Sequence, residues 1–377
     1  MPRAPYLDQA NEVIRSQNQC QGRPTNRVSR VQTEQLSELK YSGVAYYKNQ
    51  GMMDNSTGII SNTSRVYQTL EEINASTAEQ RLPTVIFLVI LITVGLIGNT
   101  VVIVAYSLKY PPSTFRLYIL TLAVLDLLSC LIPMPLEVVD NVYPVMFYYE
   151  GFCKCGRFFG HVLRIGSAFV LVVMAVGRYK NICHPYSKPI GVLQARLCCT
   201  AAIALAIAFS WPNAIIQGMK HLYLPGNITG FDCSIDDDVR NTRYPFIYTT
   251  ILFTVYVTVF LSLAVLYSLV IFSLRKHAEK QKARKLSDRL NKMNPRITKL
   301  MLAITVAFIL CNLPDCILDA ISTFKRGNIF QASPVVLGIL PLLARAFFIN
   351  NIINPFIYLI GDSKFRDIVK QSQRCFY

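Results

Sequence analysis

Seven long apolar runs constrain this 377-residue chain more than any other feature of its sequence. A helix needs about 20 apolar residues to cross a hydrocarbon core of about 30 Å, and backbone groups left unpaired there cost several kcal/mol. The runs that meet this length lie at residues 84–108, 115–138, 156–180, 197–219, 246–274, 297–322 and 335–360. They predict an all-α bundle of membrane-spanning helices. Because two or three runs contain charges, hydropathy alone allows six, seven or eight spans.

Basic residues are concentrated between these runs. A net charge of +16 would also suit a nucleic-acid partner, but the loop from Arg275 to Lys299 shows a different pattern, with ten Lys and Arg residues against Glu279 and Asp288. Basic loops of this kind stay on the cytoplasmic side. With seven spans, the N-terminus is then outside the cell and the C-terminus inside. We therefore expect a multi-pass plasma-membrane protein whose basic loop faces anionic lipids, with no nucleic-acid partner.

Residues 1–82 are polar and lack the apolar segment of a cleaved signal peptide. We expect them to form a disordered extracellular tail, with the first span as signal anchor. The bundle would then occupy residues 83–360, and an amphipathic helix with a cytoplasmic tail residues 361–377. Glycans are added only on the lumenal side, and the sequons agree with this orientation: Asn55, Asn62, Asn74 and Asn227.

Three of the 11 cysteines stand apart from the rest. Most lie within the runs or at their cytoplasmic ends, where a reduced packing role is the default. Cys153, Cys155 and Cys233 fall on the predicted outer side, which is oxidising. A disulfide from Cys153 or Cys155 to Cys233 would tie the third span to the loop after the fourth.

Polar residues inside the runs are informative, because each is costly in a membrane and normally faces the bundle interior. They are Asp126 in the second run, Ser167 in the third, and Asn350, Asn351 and Asn354 in the seventh. A carboxylate among hydroxyl and amide oxygens suits a sodium ion or water. A hydrogen-bonded cluster that only joins helices is the alternative.

Six short motifs follow one another along the chain: GNTVV with Gly98 and Asn99, LAVLD with Asp126, Cys153 at the third run, GRYKNICHP with Arg178, FILCNLP with Pro314, and NPFIY with Tyr358. Over residues 84–375 the chain therefore resembles a rhodopsin-like G-protein-coupled receptor. GRYKNICHP stands in place of that family's Asp-Arg-Tyr motif, FILCNLP in place of Cys-Trp-x-Pro, and NPFIY in place of Asn-Pro-x-x-Tyr. The resemblance favours seven spans.

The resemblance implies an extracellular ligand, a heterotrimeric G protein and arrestin as partners, and no enzymatic activity. Cys153 would form the disulfide with Cys233. One sodium ion would bind in a cluster of Asp126, Ser167, Asn350 and Asn354. Arg178 would engage the G protein and pair with Tyr267 and Tyr358 as the bundle opens. The remaining activation residues implied by the motifs are Gly177, Tyr179, Phe308, Asn312, Pro314 and Pro355.

The chain departs from the family pattern at two activation residues. Gly177 replaces the carboxylate that holds the motif arginine in the closed state, and no acid lies near Asn294, where a second partner is usual. We expect raised basal signalling; the alternative is that Gly177 only permits close packing and Arg178 bonds water or a carbonyl. Asn312 replaces the usual tryptophan, a variant found among invertebrate neuropeptide receptors. Val259, and Ala202 or Ile203, replace the usual proline and tryptophan of the fifth and fourth helices.

The outer half of the bundle is rich in charge. The candidate ligand-binding residues are Glu137, Arg157, His161, Arg164, Asp315, Asp319 and Arg345, together with Asp140. Arg157, His161 and Arg164 share one helix face by their i, i+4, i+7 spacing. Gly160 stands where amine receptors carry an aspartate, which disfavours an amine ligand.

A short peptide with a cationic side chain and a polar or amidated end suits this mixed-charge pocket. Glu137, Asp315 and Asp319 would bind its cation, and Arg164 a carbonyl or carboxylate. Alternatively, the charges satisfy each other, for example Arg164 with Glu137 or Arg345 with Asp319. The acidic loop 232–238 would steer a basic peptide towards the pocket.

Residues 361–375 alternate apolar and basic residues, which predicts a helix lying at the membrane interface, and Cys375 after it is a palmitoylation candidate. Three other functions remain open. A transporter would usually show internal repeats, which this sequence lacks. A channel would need a pore formed by oligomerisation. A decoy or scavenger receptor would keep the fold without G-protein coupling, but Arg178, Tyr267, Tyr358 and Asp126 argue against it.

Overall fold

Helices account for most of the chain in the computed structural model, which describes residues 69–224, 226–283, 295–324 and 341–374. All of these belong to one compact unit, Tyr47–Tyr377. The helices are α1 (Leu70–Lys109), α2 (Thr114–Leu131), α3 (Pro133–Val142), α4 (Glu150–Cys183), α5 (Val192–Ser210), α6 (Asn213–Ile216), α7 (Asp237–Arg240), α8 (Tyr244–Ala283), α9 (Pro295–Phe324), α10 (Asn350–Gly361) and α11 (Ser363–Arg374). Two strands, β1 (Gln217–Leu224) and β2 (Ile228–Ile235), lie between α6 and α7.

Among the described residues, six helical segments are long and apolar enough to cross a bilayer. They are Leu70–Lys109, Thr114–Val142, Glu150–Cys183, Val192–Ile216, Tyr244–Lys276 and Arg296–Leu318. The seventh predicted run begins among residues that the structure does not describe, and its described part contains the shorter apolar helix Ala346–Gly361. The described helices confirm the predicted all-α bundle, and α11 stands where the amphipathic C-terminal helix was expected.

The first helix begins at Leu70, well before the predicted span. Thr69 Oγ1 accepts a hydrogen bond from the Glu72 N–H at 3.2 Å, and Glu72 Oε2 accepts one from the Thr69 N–H at 2.8 Å. This capping box satisfies two N–H groups at the helix start. The prediction of a disordered tail is therefore wrong for residues 70–82. Residues 1–68 lie outside the described residues.

The second span bends at a proline. Helix α2 ends at Leu131, and α3 begins at Pro133, whose missing N–H is best tolerated in the first turn of a helix. Asn99 of α1 is fully buried, and its side-chain amide donates to the backbone carbonyl of Asn351 at 2.8 Å. The break reorients α3, which carries the acids of the predicted ligand pocket.

A β-hairpin follows the fourth span, and the sequence prediction did not include it. The helical region ends at Ile216 instead of continuing to residue 219, and β1 pairs with β2 in antiparallel register. Gly226 and Asn227 have φ values of 87° and 61°, as a tight hairpin turn requires. The register places Met219 opposite Cys233. The hairpin therefore carries the second cysteine back towards α4.

The largest group of buried apolar side chains fills the half of the bundle next to α11. It contains the fully buried aromatic rings of Tyr106, Phe308 and Tyr358, together with aliphatic residues of α2, α4, α8 and α9. A smaller group around Ile165, Tyr248 and Leu252 joins α4 to α8 towards the outer side. Packed cores in both halves hold the polar side chains between them in defined positions.

Candidate functional site

Four charged side chains form a cluster at the outer end of the bundle. Glu137 and Asp140 of α3 are only 7% and 3% exposed. Arg157 of α4 forms ion pairs with both, at 3.1 Å to Asp140 Oδ2. Arg345 contacts the same acids, at 2.7 Å to Glu137 Oε2 and 3.4 Å to Asp140 Oδ2. We name these four residues the outer charge cluster.

Within the outer charge cluster, the two acids and the two arginines neutralise one another. The predicted ligand residues in this cluster therefore already have partners within the protein. Charge pairing within the pocket was the alternative to ligand binding, but the sequence suggested Asp319 as the partner of Arg345, and the structure pairs Arg345 with Glu137. Two arginines contact Glu137. A ligand cation would have to displace both of them to reach it. The side chain of Asp319 lies outside the described residues.

The disulfide and α1 adjoin this cluster. Cys153 is bonded to Cys233, and Cys155 is an exposed free thiol, which resolves the choice that the sequence left open. Arg157 Nη2 donates to the Cys233 carbonyl at 3.2 Å. Arg81 of α1 interacts electrostatically with both acids of the cluster. Sequence reasoning missed Arg81 because it assigned this residue to the tail.

Deeper in the bundle, Arg164 forms an ion pair with Asp315, which we name the inner ion pair. Arg164 Nη2 lies 2.6 Å from Asp315 Oδ2, and Arg164 Nε donates to Asn312 Oδ1 at 3.1 Å. The guanidinium carbon also lies 4.8 Å from the centroid of the Tyr256 ring and 4.3 Å from that of Phe347. One side chain of α4 thus contacts residues of α8, α9 and the seventh span.

Part of this arrangement was predictable. The sequence placed Arg164 and Asp315 among the ligand residues and expected Asn312 to act through a hydrogen bond, but it suggested Glu137 as the partner of Arg164. Tyr256 and Phe347 were missed, because ordinary aromatic residues within apolar runs give no local signal. His161 lies on the same face of α4, with its ring centroid 6.4 Å from that of Tyr248.

A cavity of about 10 Å³ adjoins the inner ion pair at Arg164. That volume is about the minimum that a water molecule needs. Its lining includes Ser129, Gly160, Arg164, Ser167, Asn312 and Asn350. The cavity therefore connects the inner ion pair to the predicted sodium and water cluster.

That cluster is partly assembled around Asp126. This side chain is fully buried, and its Oδ2 accepts a hydrogen bond from Asn354 Nδ2 at 2.7 Å. The Oδ1 atoms of Asp126, Asn350 and Asn354 are buried without a hydrogen-bond partner among the described residues. Ser167 lines the cavity together with Asn350. Hard oxygen donors of this kind fit a small cation.

At the end of α4 that the sequence predicts to be cytoplasmic, Arg178 faces a sulfur atom. Its Nε donates to Met301 Sδ at 2.6 Å, and it forms no ion pair within the part of the chain that the structure describes. A Cβ atom on Gly177 would lie 3.1 Å from the hydroxyl of Tyr118. Gly177 therefore adjoins a buried tyrosine whose hydroxyl occupies the space next to the motif arginine.

The other activation residues are distributed over the same half of the bundle. Tyr267 and Tyr358 are 3% and 0% exposed. Phe308 packs edge-on against Phe260, with ring centroids 6.2 Å apart. Tyr179 lies at the surface, its hydroxyl 3.2 Å from His184 Nε2. Pro314 and Pro355 lie inside α9 and α10, where each removes one backbone hydrogen bond.

The predicted modification sites differ in accessibility. Asn227 is exposed in the turn of the hairpin. Asn74 is half-buried in α1, where its Nδ2 donates to the Val142 carbonyl and its Oδ1 accepts from the Val145 N–H, both at 3.3 Å. The further candidates Asn55, Asn62 and Cys375 lie outside the described residues.

Asp362 anchors α11 to α1, a role that the sequence analysis missed. Its Oδ2 accepts hydrogen bonds from the hydroxyls of Tyr106 and Tyr110, at 2.8 and 2.7 Å. Its Oδ1 accepts from the N–H groups of Lys364 and Phe365, at 3.0 and 3.3 Å. Burial, reinforced by this carboxylate, raises the pKa of Tyr110, so the hydroxyl stays a donor. The available signal was an aspartate directly before an amphipathic helix.

Comparison with known proteins places this arrangement among receptors. Residues 98–358 match the family model of the seven-transmembrane receptors of the rhodopsin family. The chain is 27% identical over 282 residues to neuropeptide FF receptor 2 of Mus musculus, covering 72% of this chain and 68% of that one. It is 24% identical over 338 residues to neuromedin-U receptor 2 of Mus musculus, with 84% and 82% covered. It is also 27% identical over 305 residues to the C3a anaphylatoxin chemotactic receptor of Danio rerio, with 79% and 77% covered.

Proposed function

The chain belongs to the rhodopsin family of seven-transmembrane receptors, and we propose that it binds a short extracellular peptide and activates a heterotrimeric G protein. It is a multi-pass plasma-membrane receptor and not an enzyme. The observation that supports the proposal best is the series of buried polar groups through the bundle. It begins at the inner ion pair and continues with Ser167 and Asn350 in the cavity wall and with the hydrogen-bonded pair of Asp126 and Asn354, and Arg178 follows at the opposite end of α4 from the disulfide.

A peptide ligand is supported by the relatives and by the chemistry of the pocket. Two of the relatives are neuropeptide FF and neuromedin-U receptors by name. The outer half of this bundle presents both guanidinium and carboxylate groups, whereas Gly160 stands where amine receptors carry an aspartate. Side chains and backbone amides of a short peptide complement such a mixed surface.

The charge distribution supports an extracellular N-terminus, which we include in the proposal. The disulfide and the exposed sequon Asn227 lie on the hairpin, and the basic loop from Arg275 to Lys299 connects α8 to α9. By the positive-inside rule, that loop faces the cytoplasm, where the G protein, arrestin and anionic lipids are.

We also propose that one sodium ion binds at Asp126, with Ser167, Asn350 and Asn354 as further oxygen donors. The unpartnered oxygens described above support this site. Replacing choline by sodium at constant ionic strength should raise the melting temperature of the purified receptor, and Asp126→Asn should abolish the effect. An equal sodium effect on the variant would contradict the site.

The function is tested by G-protein activation in cells that express the chain, first without ligand and then across a library of short amidated peptides. A specific response that Arg178→Ala removes at equal surface expression is the expected result. Silence under both conditions, despite surface expression, would favour a decoy receptor that keeps the fold without coupling.

A further inference from the structure

We propose that Asp315 is the acceptor for a cationic group of the ligand, and that this group displaces Arg164 and so releases α9 from α4. The proposal rests on the receptor function given above. The inner ion pair would then have two roles. It would select a ligand that carries a guanidinium or ammonium group, and it would couple the binding of that ligand to movement of α9.

The first step is the binding of a ligand cation at Asp315, and the burial and pairing of this side chain support it. Asp315 is 7% exposed, and among the described residues its ion-pair partner is Arg164, at 2.6 Å. A buried carboxylate needs a cation, because an unpaired charge in a low-dielectric interior is strongly unfavourable. If Arg164 moves away, another cation at Asp315 restores the compensation that the buried carboxylate has lost.

The second step is the displacement of Arg164. It is supported by the surroundings of Arg164, because they stabilise this side chain after it leaves Asp315. The rings of Tyr256 and Phe347 lie 4.8 and 4.3 Å from its guanidinium carbon, within the range of cation–π attraction. The hydrogen bond from Arg164 Nε to Asn312 Oδ1, at 3.1 Å, also joins α4 to α9, and it is released together with the ion pair. After the exchange, the ligand cation therefore neutralises Asp315, and the aromatic rings stabilise Arg164.

The outer charge cluster offers no such compensation for a displaced arginine. Glu137 and Asp140 each contact both Arg157 and Arg345, so a ligand cation would have to displace two arginines. None of the described aromatic ring contacts involves either arginine. Comparison of the two clusters therefore selects Asp315, and not Glu137, as the site of exchange.

The exchange would change how the spans are held together. Asp315 and Asn312 lie on α9 next to Pro314, and Arg164 lies on α4, so the inner ion pair joins these helices across the bundle. A ligand shifts a two-state protein only through its different affinity for the two states. A cation that binds Asp315 only when Arg164 has left supplies that difference.

The site is tested first by chemical rescue of the purified full-length receptor, without a G protein. Arg164→Ala leaves Asp315 without its cation and should lower the melting temperature. Methylguanidine should raise it again in a saturable way, whereas the neutral methylurea should not. The double variant Arg164→Ala with Asp315→Asn should show no rescue. Absence of rescue in Arg164→Ala, or equal rescue by methylurea, would overturn Asp315 as a cation acceptor.

The coupling step is tested by basal G-protein activation at equal surface expression. Asp315→Asn removes the attraction for Arg164 and should raise basal activation roughly tenfold, within the usual range of coupling between sites. Arg164→Gln, which keeps a side-chain amide for hydrogen bonding, provides a second variant in case Arg164→Ala does not fold. Basal activation unchanged in both would overturn the release of α9.

These outcomes separate the exchange from the receptor function itself. If a library peptide activates the wild-type chain and Asp315→Asn responds equally while Glu137→Gln does not, the exchange is wrong and the receptor function stands. If methylguanidine rescues Arg164→Ala but no condition yields G-protein activation, the cation site stands and the coupling function fails.

Discussion

At the scale of single residues, the place of Gly177 next to Arg178 has the clearest consequence. No acid among the described residues restrains Arg178, and Tyr118 lies where a carboxylate would stand. Gly177→Asp supplies that carboxylate, and a partly exposed ion pair is worth up to about 1 kcal/mol. We therefore expect basal signalling to fall by up to about fivefold, since 1.4 kcal/mol corresponds to a factor of about ten.

Gly177→Ala is the matched control for this prediction. Its Cβ meets the same hydroxyl of Tyr118 at 3.1 Å without adding a charge. Basal activation is measured at equal surface expression. Equal signalling by the Asp and Ala variants would show that only packing matters at this position.

Glycosylation is also decided by the surroundings of single residues. Asn227 is exposed in a turn, whereas both polar atoms of the Asn74 amide bond the backbone of residues 142 and 145. We expect Asn227→Gln to lose a glycan, seen as a mobility shift that glycosidase treatment abolishes. Asn74→Gln should leave the glycan pattern unchanged and lower the melting temperature. A glycan lost from Asn74→Gln would contradict this prediction.

At the scale of secondary-structure elements, the disulfide holds the hairpin to α4. Cys153 and Cys233 are 80 residues apart in sequence and nearly fully buried. Removing a native disulfide typically costs about 2–5 kcal/mol. Replacing both cysteines by alanine should therefore lower the melting temperature of the receptor clearly. Cys155→Ala is the control, since this exposed thiol lies two residues away, and an equal loss there would refute the assignment.

The attachment of α11 is a second property of elements. Asp362→Ala removes the helix cap, worth about 1 kcal/mol, and two charge-assisted hydrogen bonds from tyrosines, worth about 1.5–3 kcal/mol each. Amide hydrogen exchange in residues 363–374 should become much faster. Asp367→Asn changes an exposed acid of the same helix and should leave exchange unaltered. Unchanged protection in Asp362→Ala would show that apolar packing alone holds α11.

At the scale of the whole molecule, the outer charge cluster joins the second, third and seventh spans. Glu137→Gln leaves two partly buried arginines facing Asp140 alone, and breaking a buried pair costs about 3–5 kcal/mol. We expect a large loss of thermal stability in the purified receptor. Glu150→Gln breaks a solvent-exposed pair with Lys154 and should cost at most about 1 kcal/mol. Similar losses in both variants would contradict the role of burial.

Much of this molecule could be predicted because the relevant signals are local. The length of an apolar run, the order of short motifs and the charge of a loop can each be read without knowing which helices touch. Asp126 and Asn354 were expected in one cluster through the family resemblance, and the structure joins them by a hydrogen bond. The start of α1 was missed although the capping box of Thr69 and Glu72 is itself a local signal.

The sequence by itself determined the membrane bundle, the receptor family and the set of charged residues in its outer half. Only the tertiary structure decided which of these charges pair: Arg345 with Glu137, and Arg164 with Asp315. The physical reason is that a partner is chosen by distance across helices that are far apart in sequence. The spacing of residues along one helix shows on which face of that helix a side chain lies. It does not show which face of a neighbouring helix that side chain contacts.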